Sequence, residues 1–468
     1  MIAEDFTDDA SVPSNSGAYP SEGASIPRGW FASGGAPGGF GGPVETVDID
    51  VDQPIPDLLP GQLPDGSSYS AVQVLVRLHR TPIGMVLLSS SEADPATGSI
   101  DRGRVASHIW AELGQSLADH VVADGQSPPV ILTPAGLPGA DAALCSWQSR
   151  LGRHRPTATI CIATCGRSIP GLLRVVRSAL DQTYDDTQVL VVDNRPGSSE
   201  LPGPLIEAFG HEDRLWYVTE PKPGLASVRN RSSREAQTEI VALTDEDVTL
   251  DSDWLGFLVA GFDRPEVACV TGLILPSHLE TRAQHLIEEF GGFSKGFERR
   301  RWDLGSHRLD HPVYPYLLGI YGSGANAAWR RSLLAELGGY DDRLGTGTRT
   351  RGGEDLDIYL TCIRGGHQLV YEPAALVRHD HRREIDLLRR QVFDYGVGLG
   401  AVITKHFLSR DERRDMLSRL PAAVDYLLSP TSPKNVGKTS QFPRSLTLAE
   451  LVGIGYGSVA FLRSQRRP

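Results

Sequence analysis

The chain has 468 residues, 40% of them hydrophobic and 22% charged, enough to bury a sizeable core and divide into domains. Its 46 basic residues against 58 acidic ones give a formal net charge of -12, which argues against nucleic acid as a partner, because phosphate-backbone affinity needs clustered lysine and arginine. Five scattered cysteines (Cys145, Cys161, Cys165, Cys269, Cys362) without a CxxC pair favour neither a disulfide framework nor a zinc site, and point to a reducing compartment. No basic start with an apolar core marks a signal peptide, and no apolar run reaches the ~18 to 20 residues of a spanning helix, so the expected location is cytoplasmic.

Residues 1–46 are rich in Gly, Pro, Ser and Ala, the composition of a disordered tail. Residues 47–150 read as a small α+β accessory domain. "AVQVLVRL" and "IGMVLLSS" are strand-like, and "GRVASHIWAELGQSLADHVV" places Val105, Ile109, Leu113 and Leu117 four apart, as a helix requires. After a proline-rich stretch, "TATICIATCGR" is an apolar strand. Ser168 then offers an N-cap and Pro170 a first-turn proline to the helix "GLLRVVRSALDQT". "QVLVVDN" is a second strand ending in Asp193, "PGLASVRNRSSREA" a helix, and "EIVALTDED" a third strand ending in Asp245. Apolar strands alternating with helices predict an α/β fold with a mainly parallel sheet sandwiched by helices.

In such sheets ligands bind beyond the carboxyl ends of the strands, where Thr164, Asp193 and Asp245 fall. Asp245 and Asp247 are two apart in an extended segment and leave the chain on one side, with Glu246 on the other. Two hard oxygen donors on one side suit Mg2+ or Mn2+ and a nucleotide's phosphates. The competing reading is a solvated turn, or caps for a helix starting at "DSDWLGFL", supplied by Asp251, Ser252 and Asp253. Further on, "GGEDLDIYLTCIRGG" is a helix whose acidic first turn, Glu354 and Asp355, faces a glycine loop. Those two carboxylates either complement the helix dipole or do chemistry.

Taken in order, "TATICIATCGR", "VVDN", "PGLASVRNRS", "LTDEDV", "GSGANAAWRR", "GGYDDRLGTG", "GGEDLDIYLTCIRGG" and "VRHDH" resemble a family 2 glycosyltransferase, an inverting nucleotide-sugar enzyme with the GT-A fold, over residues 156–382. The resemblance implies a catalytic domain over 151–383, with a helical extension at 384–468. It implies that the D-x-D element of Asp245 and Asp247, with His379 as third ligand, holds Mn2+ or Mg2+ against the diphosphate of a nucleoside-diphosphate sugar, UDP by preference. It implies Asp193 at the nucleobase, Thr164 beside the nucleoside, Arg229 near the phosphates or ribose, and Asn326 near sugar and acceptor. Asp355 becomes the general base, and Glu354 orients the acceptor or supports the loop. Displacement at an anomeric carbon needs a base at the acceptor hydroxyl and charge stabilisation on the leaving group, and a single step inverts the sugar. The segment "FGGFSKGFERRRWDLG" reads as a mobile acceptor-side loop, and Arg378, Arg382 and Arg383 either meet the diphosphate or decorate the surface.

The acceptor is a hydroxyl compound, lipid-linked or small. The apolar segment "LTLAELVGIGYGSVAFL" reads as a packed or interfacial helix, which allows peripheral contact with the inner face of a membrane. Two rival functions remain. A nucleotidyltransferase also needs carboxylates, a metal and a nucleotide, but its first strand should lead to a glycine-rich basic loop, and here it leads to "TCGRS". A non-catalytic binding or scaffold protein would have little use for Asp245, Asp247 and Asp355 together.

Overall fold

The computed structural model describes residues 41–150, 156–195, 202–210, 212–435, 437–439 and 441–465. Up to residue 40, the segment read as a tail lies outside the described residues. The first element, β1 (Val44–Asp50), begins within that segment's last residues. It pairs in parallel with β2 (Ala71–Leu78), which forms a hairpin with β3 (Thr81–Ser89). Helix α1 (Arg102–Ala123) covers this sheet, burying Val105, Ile109, Leu117 and Val121 against Ile49, Val74, Val76 and Leu88. Strand β1 escaped the sequence reading because Glu45, Asp48 and Asp50 dilute its apolar pattern, as an edge strand permits.

After α2 (Ser146–Arg150) the α/β body begins. In order it contains β4 (Ala158–Thr164), α3 (Ile169–Leu180), β5 (Thr187–Asp193), α4 (Pro202–Phe209), β6 (Leu215–Thr219), α5 (Leu225–Glu235) and β7 (Ile240–Asp245). There follow β8 (Val248–Leu250), α6 (Trp254–Ala260), β9 (Val267–Pro276), α7 (Arg282–Phe290), β10 (Arg300–Trp302), β11 (Asn326–Arg330), α8 (Arg331–Glu336), α9 (Glu354–Arg364) and β12 (Gln368–His379). The sheet order is β10-β12-β9-β11-β7-β4-β5-β6, with β8 on β12. Strands β7, β4, β5 and β6 are parallel neighbours, β11 runs antiparallel between β7 and β9, and β9 is parallel to β12. The expected α/β sandwich is thus present, with a mixed half added to the parallel one.

Ile160 and Ile162 of β4 enter one core and Cys161 the other. Helices cover both faces, so neither side of the strand has to be polar. Ser168 caps α3 as expected, accepting from Gly171 N at 3.1 Å. Asp253 stands at the N-cap of α6 without a side-chain cap bond. Its carboxylate instead accepts from Thr183 Oγ1 at 2.6 Å and pairs with Arg80 at 2.7 Å. With Arg77, which pairs with both Asp48 and Asp251 at 2.7 Å, it docks the N-terminal unit onto the body.

Three helices close the chain: α10 (Ile385–Leu408), α11 (Arg410–Leu428) and α12 (Arg444–Ser464). Helices α10 and α12 approach backbone to backbone through Gly396, Gly400, Gly453 and Gly457, where any Cβ would lie within 2.3 Å of a carbonyl oxygen of the other helix. Among the described residues α12 is the one helix long and apolar enough to cross a membrane, and a third of its apolar window is buried in these contacts.

Candidate active site

A cavity of about 1380 Å³ opens at the carboxyl ends of β4, β5 and β7 and extends under α9, α10 and α11. Thr164, Asp245, Asp247, Asp355 and His379 all line it. Strand register sets the first part of this gathering: Thr164 lies beside Asp193, and Ala163 beside Asp245.

Beyond β7 the alternation holds. Asp245 and Asp247 are half-buried on the cavity wall, and Glu246 between them is buried at its edge. Glu246, which strand alternation only turns away from the two aspartates, has a structural task of its own. It accepts from Thr164 Oγ1 at 2.6 Å and from the amides of Cys165 and Arg167 at 3.4 Å, so it clamps the loop after β4. A carboxylate between two cavity-facing aspartates was the available signal.

Asp245 carries the strain of the site. Its Oδ1 is buried without a hydrogen-bond partner, and Arg229 stands 3.7 Å away. Burial pushes its carboxyl up to about 6, reinforced by the charges of Asp247 and Asp355 and opposed by Arg229. An orphaned buried carboxylate oxygen is what a cation would satisfy.

His379 brings an imidazole nitrogen beside Asp247. Its Nε2 is 3.6 Å from Asp247 Oδ1, and its Nδ1 is 2.9 Å from Nδ1 of His381, whose Nε2 is 2.7 Å from Glu288 Oε1. Because Glu288 accepts from His381 Nε2, a neutral His381 can only accept at Nδ1, so His379 donates from Nδ1. The lone pair of His379 then sits on Nε2, facing Asp247. Burial lowers the His379 pKa to about 4 and keeps the ring neutral. A carboxylate–imidazole chain behind a ligand nitrogen is a common metal-site support. The donor set of Asp245, Asp247 and His379 therefore fits a divalent cation such as Mn2+ or Mg2+.

Asp355 faces the cavity from the first turn of α9, with Oδ2 accepting from Gly324 N at 3.0 Å and Oδ1 from Leu356 N at 2.8 Å. Gly353, at φ 91°, makes this placement possible, because a Cβ there would lie 2.7 Å from the carbonyl of Gly398 on α10. Glu354 turns inward and pairs with Arg229 at 2.8 Å, both buried. Lys295, also on the cavity lining, has its pKa drawn down to about 8 by burial.

Other expected residues are placed differently. Asn326 is fully buried and accepts from Trp254 Nε1 at 2.8 Å while donating to the carbonyls of Leu273 and Ala375 at 2.9 and 2.8 Å. It ties strands together behind the cavity, whose wall here is Gly322, Ser323 and Ala325. Asp193 is also fully buried, accepting from Tyr217 Oη at 2.7 Å and Arg195 N at 3.0 Å, and Asn194 lines the cavity in its place. The three basic residues after β12 divide their work: Arg382 lies 3.5 Å from Asp247, Arg378 pairs with Asp48, and Arg383 pairs with Glu280 at 2.6 Å. The segment read as a mobile loop is partly fixed. Phe290 to Lys295 form cavity wall, but Arg299 and Arg301 are buried on Asp263 at 2.9 Å, around β10.

Comparison with known proteins supplies the family. The description "Glycosyl transferase family 2" matches residues 159–338. The chain is similar to a pre-mycofactocin glycosyltransferase of Mycobacterium tuberculosis, 28% identical over 355 residues, covering 74% of this chain and 65% of that protein. It is also similar to a glucosyl-dolichyl phosphate glucuronosyltransferase of Haloferax volcanii, 24% identical over 298 residues, covering 60% of this chain and 88% of that one. Among solved structures, a mannosyltransferase from Pyrobaculum calidifontis in complex with GDP-Man and Mn2+ matches at 17% identity and a TM-score of 0.44, covering 69% of this chain and 81% of that one. The chain spans 65% of the length of its mycobacterial relative. Thr164, Asp193 and Asp245 all fall inside the matched segment, and residues 159–338 carry a glycosyl transferase family 2 domain.

Proposed function

We propose that this protein transfers a sugar from a nucleoside-diphosphate donor, a UDP-sugar in the first instance, to an acceptor hydroxyl with inversion at the anomeric carbon. The observation that carries the reading is the meeting of Asp245, Asp247, His379 and Asp355 in one cavity, with the His381–Glu288 chain aiming the His379 lone pair at Asp247. Asp245, Asp247 and His379 would hold Mn2+ or Mg2+, which when bound neutralises charge on the departing diphosphate. Asp355 takes the proton of the acceptor hydroxyl. Two backbone amides fix its carboxylate, so its orientation does not depend on flexible side chains. Arg229 and Glu354 brace the wall behind Asp245, and Glu246 holds Thr164 and the loop beside the nucleoside.

The apolar reach of the cavity, with Ile403, Phe407, Leu417, Leu420 and Val424, favours the lipid-linked alternative for the acceptor. Leu417, Leu420 and Val424 are also exposed, and with the apolar α12 they support peripheral contact at the inner face of a membrane. The test is release of nucleoside diphosphate and transfer of label from a panel of nucleotide sugars. Asp355→Asn is expected to lose transfer by about 10²–10⁴-fold while still binding donor. Full transfer by that variant would remove Asp355 from the role of base.

A further inference from the structure

Away from the cavity, the N-terminal unit gathers four side chains of zinc-ligand chemistry in its interior. His79, His120, Asp124 and Cys145 each bring one ligand atom, all within 4.8 Å of one another. The Cys145 Sγ to His120 Nε2 distance is 3.6 Å, and His120 Nε2 to Asp124 Oδ2 is 3.4 Å. A tetrahedral zinc with Zn–S of about 2.3 Å and Zn–N or Zn–O of about 2.0–2.2 Å has S···N edges of about 3.6 Å and N···O edges of about 3.4 Å. His79 Nδ1, 3.9 Å from Asp124 Oδ2, needs only a small inward shift to complete the set.

Three further features distinguish this from an ordinary buried polar cluster. First, Ser146 N donates to Asp124 Oδ1 at 2.8 Å, which turns Oδ2 into the cluster, where it is buried without a hydrogen-bond partner. A bare buried carboxylate oxygen is costly. Second, His79 and Arg80 form the two-residue turn between β2 and β3 with φ of 52° and 67°, a conformation that normally selects Asn-Gly. Strain of this kind persists where the surroundings fix it, and here it points a buried imidazole at the cluster. Third, the thiolate and the carboxylate together carry the two negative charges that neutralise Zn2+, which suits a site closed to water.

We propose that His79, His120, Asp124 and Cys145 form a closed, four-coordinate structural Zn2+ site, distinct from the catalytic cation site. The metal clasps the β2–β3 turn, the end of α1 and the segment entering α2 into one unit. That segment continues to Arg150, which pairs with buried Glu372 on β12 at 3.0 Å, so the clasp secures the connection into the catalytic body. Binding deprotonates Cys145 and releases one proton per metal. The four ligands come from three separated segments, and only His120 and Asp124 sit close in sequence, one helical turn apart. No spacing pattern announces the site.

The test is elemental analysis of the full-length protein, prepared without a polyhistidine tag and dialysed against metal-free buffer. The expected result is about one zinc per chain. It should be retained in Asp247→Ala and lost in Cys145→Ser and Asp124→Asn. Replacing zinc by Co2+ should give a thiolate-to-cobalt charge-transfer band in the parent protein. Should the cysteine or aspartate variants fail to fold, the parent decides alone: a strong chelator should lower its Tm and added Zn2+ should restore it. No bound transition metal, with no gain in Tm on adding Zn2+, would overturn the proposal. So would zinc that leaves with Asp247→Ala and stays with Cys145→Ser.

Discussion

Arg229 Nη1 lies 2.8 Å from Glu354 Oε1, and Nη2 of the same guanidinium lies 3.7 Å from Asp245, so one buried cation serves two carboxylates of the site. Removing one partner of a buried pair strands the other charge, at a cost of about 3–5 kcal/mol. Arg229→Ala is therefore expected to lower stability by about that amount in urea unfolding. Asp245 would also lose its competing cation, so Mn2+ should stabilise the variant more than it stabilises the parent. Equal stabilisation of both would separate Arg229 from the metal site.

His406 gives a pH prediction. Burial works against its imidazolium, but Asp357 Oδ1 at 2.9 Å and Glu412 Oε2 at 2.6 Å outweigh burial and raise its pKa. Its surroundings also include Lys405, which pairs with Asp357 at 2.7 Å. A His with a raised folded-state pKa contributes stability that is fully present below its unfolded value of about 6.5 and is lost as pH rises through the folded value. The junction of α9, α10 and α11 should therefore weaken from neutral pH upward. Unfolding free energies of the parent and His406→Gln, compared across that window, should diverge below it and converge above it.

Glycines at the α10–α12 crossing predict an inversion of helix propensity. In an exposed helix Gly→Ala gains about 1 kcal/mol. A methyl at Gly400 or Gly457 would instead lie 2.0 Å from the carbonyl oxygen of Ile454 or Val397. Gly400→Ala and Gly457→Ala should each lower stability by about 1–3 kcal/mol through overpacking. Gly455→Ala, where a Cβ meets nothing within 4 Å, should not. Thermal unfolding of the three variants measures the contrast.

Much of the parallel half was legible because its strands are short apolar runs and α3 begins with Ser168 and Pro170. The split between cavity-facing Asp245 and Asp247 and inward Glu246 followed from strand alternation alone. What Glu246 does there could not be read, because its partner Thr164 is far away in sequence. Asn326 shows the opposite failure. Beside glycines it looks like a ligand contact, but its amide is committed to Trp254, Leu273 and Ala375, partners that only the assembled sheet brings near. Likewise Glu354, acidic at a helix start, reads as a dipole partner until Arg229 arrives from α5. The cluster of His79, His120, Asp124 and Cys145 was hidden for the same reason, and the scattered cysteines pointed away from zinc.

Calorimetric titration of the parent protein and Asp247→Ala with UDP, GDP and TDP, each with and without Mn2+, tests whether a cation at Asp245, Asp247 and His379 holds the donor diphosphate. One nucleoside diphosphate is expected to bind the parent in a Mn2+-dependent manner, and this binding is expected to be lost in Asp247→Ala. Binding that is indifferent to Mn2+, or that survives intact in Asp247→Ala, would contradict a diphosphate held through a cation at Asp245, Asp247 and His379.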